Sequence, residues 1–217
     1  MAERPVFAPV ARGTRLVDEI PVRFAWHAGM APSQKKKNVA TLHEAAARRG
    51  VAPLLEISSK SNDELGQELS AFNLKMNVHG RETTIECAYQ GSKVFAEGGP
   101  FHDLYFAESS RDARRDERLR QHGRLTGFHF EDTDYPLSPT TAFYDWLYIN
   151  ALFRQRSRME SLQQYAGFTD IEFNPERSLN CQARSAAMFV ALEKRQLIED
   201  AIESFGTFKH LHQGGAV

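Results

Sequence analysis

The stretch Thr83-Thr84-Ile85-Glu86-Cys87-Ala88-Tyr89-Gln90-Gly91-Ser92-Lys93-Val94-Phe95 decides how the chain is read. Written as a helix, it puts Glu86, Gln90 and Lys93 at i, i+4 and i+7, a narrow stripe on one face. Ile85, Cys87, Ala88, Tyr89, Val94 and Phe95 suit burial. A carboxylate, an amide and an amine on a buried helix are costly without partners. Chemistry at a sugar C1 can use that set. A carboxylate activates water or stabilises a cationic sugar, and an amine donates a proton or attacks a ring-opened aldehyde. A plainer reading also stands. Thr83-x-x-Glu86 is a capping-box pattern, Gln90 can bond backbone, and Lys93 can snorkel to solvent. The two are compatible, because a helix N-terminus favours a carboxylate.

Working outward, Leu74 to Glu82 reads as a hairpin turning near His79-Gly80. Ser61-Asn62-Asp63-Glu64 is a capping-box pattern opening a short helix, and Pro53 to Ser58 reads as a buried strand. Ser33 is placed to cap a helix reaching Arg49, with Val39, Leu42, Ala45 and Ala46 on its apolar side and Gly50 at its end. Residues 1–32, with scattered Pro and Gly, read as an irregular N-terminal segment. In the other direction, the Glu86 helix is expected to run to Gly98-Gly99-Pro100. Ser109 or Ser110 caps an Arg-rich helix ending near Gly123. Phe128, Phe130 and Tyr135 suggest a compact loop, and Ser138-Pro139 a long helix with Pro in its first turn. Phe168 to Leu179 reads as loop, Asn180 to Ser204 as the last helix, and 206–217 as a flexible tail. The sum is one α+β domain over residues 1–217, mostly helical with a small β component.

Composition agrees with that reading. The 217 residues, 41% hydrophobic and 25% charged, suffice for one sizeable core. No apolar stretch approaches the roughly 20 residues that span a bilayer. Met1 to Pro5 lacks the apolar core of a signal peptide, so a cytoplasmic, membrane-free protein is expected. Cys87 and Cys181 stand alone, outside any metal-binding spacing. The eight histidines show no H-E-x-x-H pattern, and there is no Gly-rich dinucleotide fingerprint or P-loop. No metal and no cofactor is expected. At a net charge of −1, nucleic-acid contact requires a local basic patch.

Three further constellations carry candidate groups. Lys60, Ser61 and Asn62, with Ser70, Phe72 and Asn73, can cap backbone or present hydroxyl, amide and N–H groups to a pyrophosphate. Asp170, Glu172 and Asn174, followed by Asn180 and Gln182, crowd carboxylates and amides before a helix. Blandly, Asn174-Pro175 is a turn and Asn180 an N-cap. Functionally, the loop supplies acid/base groups and ribose contacts. Arg111, Arg114, Arg115, Arg118, Arg120 and Arg124 interleave with Asp112, Asp116 and Glu117, which suggests a salt-bridged solvated face rather than a phosphate-binding one.

Leu69-Ser70-Ala71-Phe72, a short variable stretch, and Glu86 to Phe95 resemble the NADAR family. That family shows a Phe-Ser-x-Phe-like element, a β-turn, and a helix that begins with Glu and carries Gln and Lys. Asp170 or Glu172, then Asn180 and Ala186-Ala187-Met188, match its late segment loosely. Ala71 stands where the family often has Asn. Ile171-Glu172-Phe173-Asn174 replaces a Trp-Gly-x-Gly element, and Tyr135 or Trp146 corresponds to a family tryptophan. The whole chain is most similar to bacterial NADAR antitoxins that accompany DNA ADP-ribosylating toxins.

The resemblance implies an ADP-ribosyl N-glycosidase that removes ADP-ribose from guanine in DNA and so reverses a partner toxin. Glu86 takes the place of the catalytic carboxylate, Lys93 that of the helix lysine, and Asp170 or Glu172 that of the second acid. Ser70, Phe72, Asn73, Tyr89, Gln90, Asn174, Asn180, Gln182 and the Lys60 cluster are the expected substrate contacts. The implied partners are ADP-ribosylated DNA, single-stranded or extruded at the modified guanine, ADP-ribose as product, and the toxin. Two alternatives remain: a non-catalytic antitoxin that binds toxin or modified DNA, and a glycosidase for a small ribosylated metabolite.

Overall fold

The computed structural model describes residues 1–29, 31–176 and 178–215, without the side chains of 157 and 158. The segment expected to be irregular, 1–32, instead opens with an antiparallel hairpin, β1 (Ala2–Pro9) and β2 (Val17–Phe24). Scattered prolines hid it. β2 is the sheet edge, and the Pro21 carbonyl faces outward to accept from Arg49, so the missing N–H costs no ladder bond. Helix α1 (Pro32–Ala47) begins with proline after Ala31, and Ser33 is not its cap. It buries Val39, Leu42, Ala45 and Ala46, the face expected.

β3 (Leu54–Glu56) is followed by α2 (Glu64–Glu68), capped by the Asp63 side chain on the Leu65 N–H at 2.9 Å. β4 (Lys75–Val78) and β5 (Arg81–Thr84) form the expected hairpin. His79 and Gly80 both take positive φ, as a primed hairpin turn demands. Next come α3 (Ile85–Gly91) and β6 (Lys93–Phe95), so the expected long helix stops early. The Arg-rich helix divides at Asp116 into α4 (Ser110–Arg115) and α5 (Arg118–Gln121). Where a compact loop was expected, β7 (Leu125–Phe130) and β8 (Thr133–Tyr135) complete an antiparallel sheet with β6. Phe128 and Phe130 share its buried face, two residues apart.

Helix α6 (Ala142–Phe153) starts after Thr141, not at Ser138-Pro139. After α7 (Arg156–Met159), β9 (Gly167–Thr169) falls inside the segment expected to be loop. The expected last helix is instead α8 (Gln182–Lys194) and α9 (Ile198–Glu203), broken where Gln196 takes φ 59°. The expected flexible tail folds as α10 (Phe205–His212), which buries Phe208 and Leu211; residues 216–217 lie outside the described residues.

The main sheet runs β2-β1-β9-β3, with β9 antiparallel to β1 and parallel to β3. Alternation along β1 builds a core on each side. Val6 joins α1, Val22 and Phe24, whereas Phe7 joins Leu55, Phe168 and the α8 side chains. α8 is buried continuously from Ser185 to Leu192 and packs on β1, β9 and α6. An apolar helix of that kind belongs at a domain centre. The Arg195 guanidinium, just past its end, donates to the Val10, Gly13 and Arg15 carbonyls and closes the β1–β2 loop. The result is a single α+β domain, 42% helical and 20% strand, so "mostly helical" understates the sheet. Among the described residues no helix is long and apolar enough to cross a membrane.

Gly66 lets α2 lie on β3. A Cβ there would overlap the Glu56 carbonyl oxygen and the Ser61 hydroxyl. Gly66→Ala is therefore expected to destabilise the domain by about 1–3 kcal/mol. Urea titration checks this, and an unchanged midpoint would show that α2 can shift freely.

Candidate active site

The site begins at the β5–α3 junction. Thr84, not Thr83, caps α3 by accepting the Cys87 N–H at 3.2 Å, and the Thr83 hydroxyl bonds the Tyr105 carbonyl. The Thr83–Glu86 capping box is therefore not formed, and the Glu86 side chain is released from backbone duty. Glu86 is 7% exposed and anchored through its own N–H to the Ala71 carbonyl at 3.0 Å. The helix ends at Gly91, where a Cβ would overlap the Tyr105 ring. Lys93 consequently stands on β6 and not on a helical stripe. The three groups still meet. Gln90 Nε2 donates to Glu86 Oε1 at 2.9 Å, and Lys93 Nζ donates to Gln90 Oε1 at 2.7 Å. The ammonium also sits 4.8 Å from the Tyr89 ring centre. Burial brings the Lys93 amine down to about 8; Glu86 opposes that shift and Arg114 adds to it.

These groups line a cleft of about 730 Å³, within the range of small-molecule sites. Ser70, Phe72, Glu86, Tyr89, Gln90 and Lys93 reach it from the first half of the chain, and Asp170, Glu172, Asn180 and Gln182 from the late loop. Gln182 ties the two halves together. It accepts from the Ala71 N–H at 2.7 Å and donates to the Ile57 carbonyl at 2.7 Å and to Asp170 Oδ2 at 3.0 Å. Asn180 is no N-cap; Cys181 holds that position, and the Asn180 side chain lies near the Tyr89 hydroxyl. Burial pushes that phenol up to about 12, so Tyr89 is a neutral donor. Its ring packs edge-on against Tyr144 and tilted on Phe128, forming an aromatic wall.

Asp170 and Glu172 differ sharply. Asp170 Oδ1 accepts the Glu172 and Phe173 N–H groups, and burial, then the neighbouring Glu56 carboxyl, raises its pKa. Glu172 is exposed, its nearest polar partner the Ser59 hydroxyl at 3.5 Å. Glu56 escaped the sequence reading because an acid inside a buried strand carries no local signal. It is 2% exposed and accepts from Ser58, Thr169 and the Ile171 N–H. Thr169 continues to His43, which burial lowers to about 4.

Five expected contacts lie outside the cleft lining. Ser61 accepts from the Asp63 N–H, and Asn73 donates to the Gln67 carbonyl. Asn174 accepts from the Glu176 N–H in a turn, the bland reading. Lys60 bonds Ser59, and Asn62 is exposed. Conversely, Arg114 approaches Glu86 to 3.9 Å over the Phe72 ring, and Arg120, Tyr144 and Thr141 also line the cleft. Thr141 takes φ 71°, a strained conformation for a β-branched residue. Asp145 and Arg184 bond its hydroxyl and hold it there. Among the described residues no His, Cys, Asp and Glu group converges as a metal site.

Fold and site together define an α+β domain in which an acid, an amide and an amine converge on one cleft between two halves of the chain. The family described as DarT1-associated NADAR antitoxin matches residues 2–216, and the chain belongs to it. The family's description associates its members with DarT1. No curated protein matches the chain.

Proposed function

We propose that the protein is an ADP-ribosyl N-glycosidase that removes ADP-ribose from guanine bases in DNA and so acts as the antitoxin to DarT1. One observation carries the reading: the hydrogen-bonded line Glu86–Gln90–Lys93 opens onto a cleft that the aromatic wall and the Gln182 suture hold in shape. Family membership supports the choice of substrate. In the reaction, the bond between C1″ of the ribose and the exocyclic guanine amine breaks, water supplies oxygen to C1″, and the amine leaves with a proton. Glu86 stabilises positive charge at C1″ or takes the proton of the attacking water. Lys93, which burial brings to about 8, either protonates the leaving nitrogen as the ammonium or, as the free amine, attacks C1″ of the ring-opened imine to guanine, expels the guanine amine and leaves a lysine imine that water hydrolyses to free ADP-ribose and the free lysine. Asp170 is the better placed of the two late acids.

The reading is tested with a guanine-ADP-ribosylated oligonucleotide. Catalytic release of ADP-ribose is expected, and stoichiometric protection without release would establish a binder instead. The imine route has its own signature. Borohydride should trap a covalent adduct whose yield climbs as pH rises through about 8, because only the deprotonated amine attacks. Lys93→Ala should give none. Absence of adduct at every pH would leave Lys93 as proton donor.

A further inference from the structure

A tyrosine inside a protein normally hydrogen-bonds its hydroxyl, because a bare buried phenol costs free energy. Tyr148 and Tyr105 follow the rule. The first donates to the Leu69 carbonyl at 2.6 Å and the second to the His129 carbonyl at 3.2 Å. Tyr144 does not. It stands one turn before Tyr148 on α6 and is 6% exposed, yet among the described residues its hydroxyl makes no hydrogen bond. The oxygen is not sealed in the core either. Tyr144 lines the cleft, and its hydroxyl is not one of the fully enclosed polar atoms that lack a partner. A phenylalanine would fill the same space and leave nothing bare, so the hydroxyl points to a partner that enters the cleft.

The surroundings say what it meets. The ring packs edge-on against Tyr89 at 5.2 Å and stacks on Tyr148 at 6.3 Å between centres, which fixes where the hydroxyl aims. Ionisable groups face it from each neighbouring element: Glu86 on α3, Tyr148 on α6 itself, Cys181 ahead of α8 and Asp170 after β9. Burial first, and then the Glu86 charge, hold the phenol well above its ordinary value, so it keeps its proton and can donate it. Beside Glu86, the Gln90 amide and the Lys93 amine are already bonded along their own line. A sugar whose C1″ lies against Glu86 carries its ring oxygen one bond away, within the space that the Tyr144 hydroxyl serves.

Opening a ribose ring calls for such a donor. The lone pair of the exocyclic guanine nitrogen forms a double bond to C1″, and the C1″–O4″ electron pair leaves with O4″. That oxygen is a strong base unless it takes a proton as the bond breaks. We infer that Tyr144 is a catalytic residue, its hydroxyl giving a proton to the ribose ring oxygen O4″ as the ring opens to the guanine imine. The tyrosinate regains a proton, through water, when the new iminium nitrogen loses its own. The step is therefore a net shift of one proton from nitrogen to O4″, after which Lys93 displaces guanine at C1″. This rests on the glycosidase reading and selects its ring-opening route. Direct loss of guanine to a cyclic cation makes the opposite demand. That cation draws electrons from O4″, and a donor there would slow its formation.

Tyr144→Phe tests the assignment, because it deletes a hydroxyl that has no protein bond to lose. Its urea midpoint is expected to match wild type. Single-turnover release of ADP-ribose from a guanine-ADP-ribosylated oligonucleotide should fall about 10²-fold. The rate of borohydride trapping on Lys93 should fall with it. A second variant separates acid from packing. Tyr144→3,5-difluorotyrosine keeps the hydroxyl and is the stronger acid. It should restore release, and its activity should be lost at lower pH than that of wild type, where the phenol ionises. Release by Y144F at or above the wild-type rate overturns the proposal, as does a difluorotyrosine profile indistinguishable from wild type. A wild type that releases no ADP-ribose would remove the glycosidase reading and the proton donor together. An active wild type with an equally active Y144F removes Tyr144 alone.

Discussion

Glu86→Gln is expected to lower kcat for ADP-ribose release by about 10²–10⁴-fold, the range for a group that moves a proton or stabilises charge in the transition state. The substitution keeps the shape of the side chain and leaves the Ala71 carbonyl bond to the residue 86 N–H in place. Stability and KM should change little. Glutamine, however, can neither balance a cationic sugar nor accept a proton from water. A second readout separates this from a packing defect. Glu86 holds the Lys93 amine up against the burial that lowers it. Removing the charge should therefore shift the midpoint of borohydride trapping to lower pH even as turnover falls. Single-turnover release together with a trapping titration tests both. Activity within threefold of wild type would remove Glu86 from the chemistry and turn attention to Asp170.

Asp145→Ala is expected to cost about 3–5 kcal/mol, because it strands buried partners that evolved around a charge. Asp145 is wholly buried and bonds the Thr141 and Ser185 hydroxyls, Arg184 at 2.6 Å and His212 at 3.1 Å. It joins α6, α8 and α10 at one point, and through Thr141 it reaches the cleft wall. Burial opposes its ionisation, but the His212 hydrogen bond and the Arg184 charge outweigh burial and hold the carboxyl below its ordinary value. The sign follows directly. A carboxyl whose folded pKa lies below the unfolded 3.8 contributes stability that is complete above that value, and it is lost as pH falls through the folded one. Wild type should therefore lose stability below about pH 4, and the variant should lack that component. Denaturant titrations at pH 7 and pH 3.5 test this. A variant as stable as wild type at pH 7 would mean that solvent reaches Arg184 and replaces the carboxylate.

What was legible in the sequence was what local chemistry decides. His79-Gly80 announces a primed turn by itself, and the α1 apolar face follows from 3.6-residue spacing. What was hidden depends on partners far along the chain. β9 is three residues long and exists because β1 and β3 flank it. The N-terminal hairpin looked broken by proline until Pro21 was placed on the sheet edge. At the site, Glu86 and Gln90 stood out by spacing. Lys93 meets them by another route than helical spacing: it reaches Gln90 across a helix-to-strand turn set by the Tyr105 ring. Glu56 and Tyr144 gave no usable sign. Their meaning lies in which neighbours are absent or far off in sequence, and no window of residues contains that.

The position of β9 has a consequence for how the chain is made. Phe7 must pair with Phe168, roughly 160 residues later, before the sheet closes. At about 5–20 residues per second, ribosomal synthesis leaves β1 with an open edge for about ten to thirty seconds. The guanidinium that seals the β1–β2 loop comes later still, at residue 195. β1 thus leaves the ribosome long before its last partner, and the sheet can close only after residue 168 has been made.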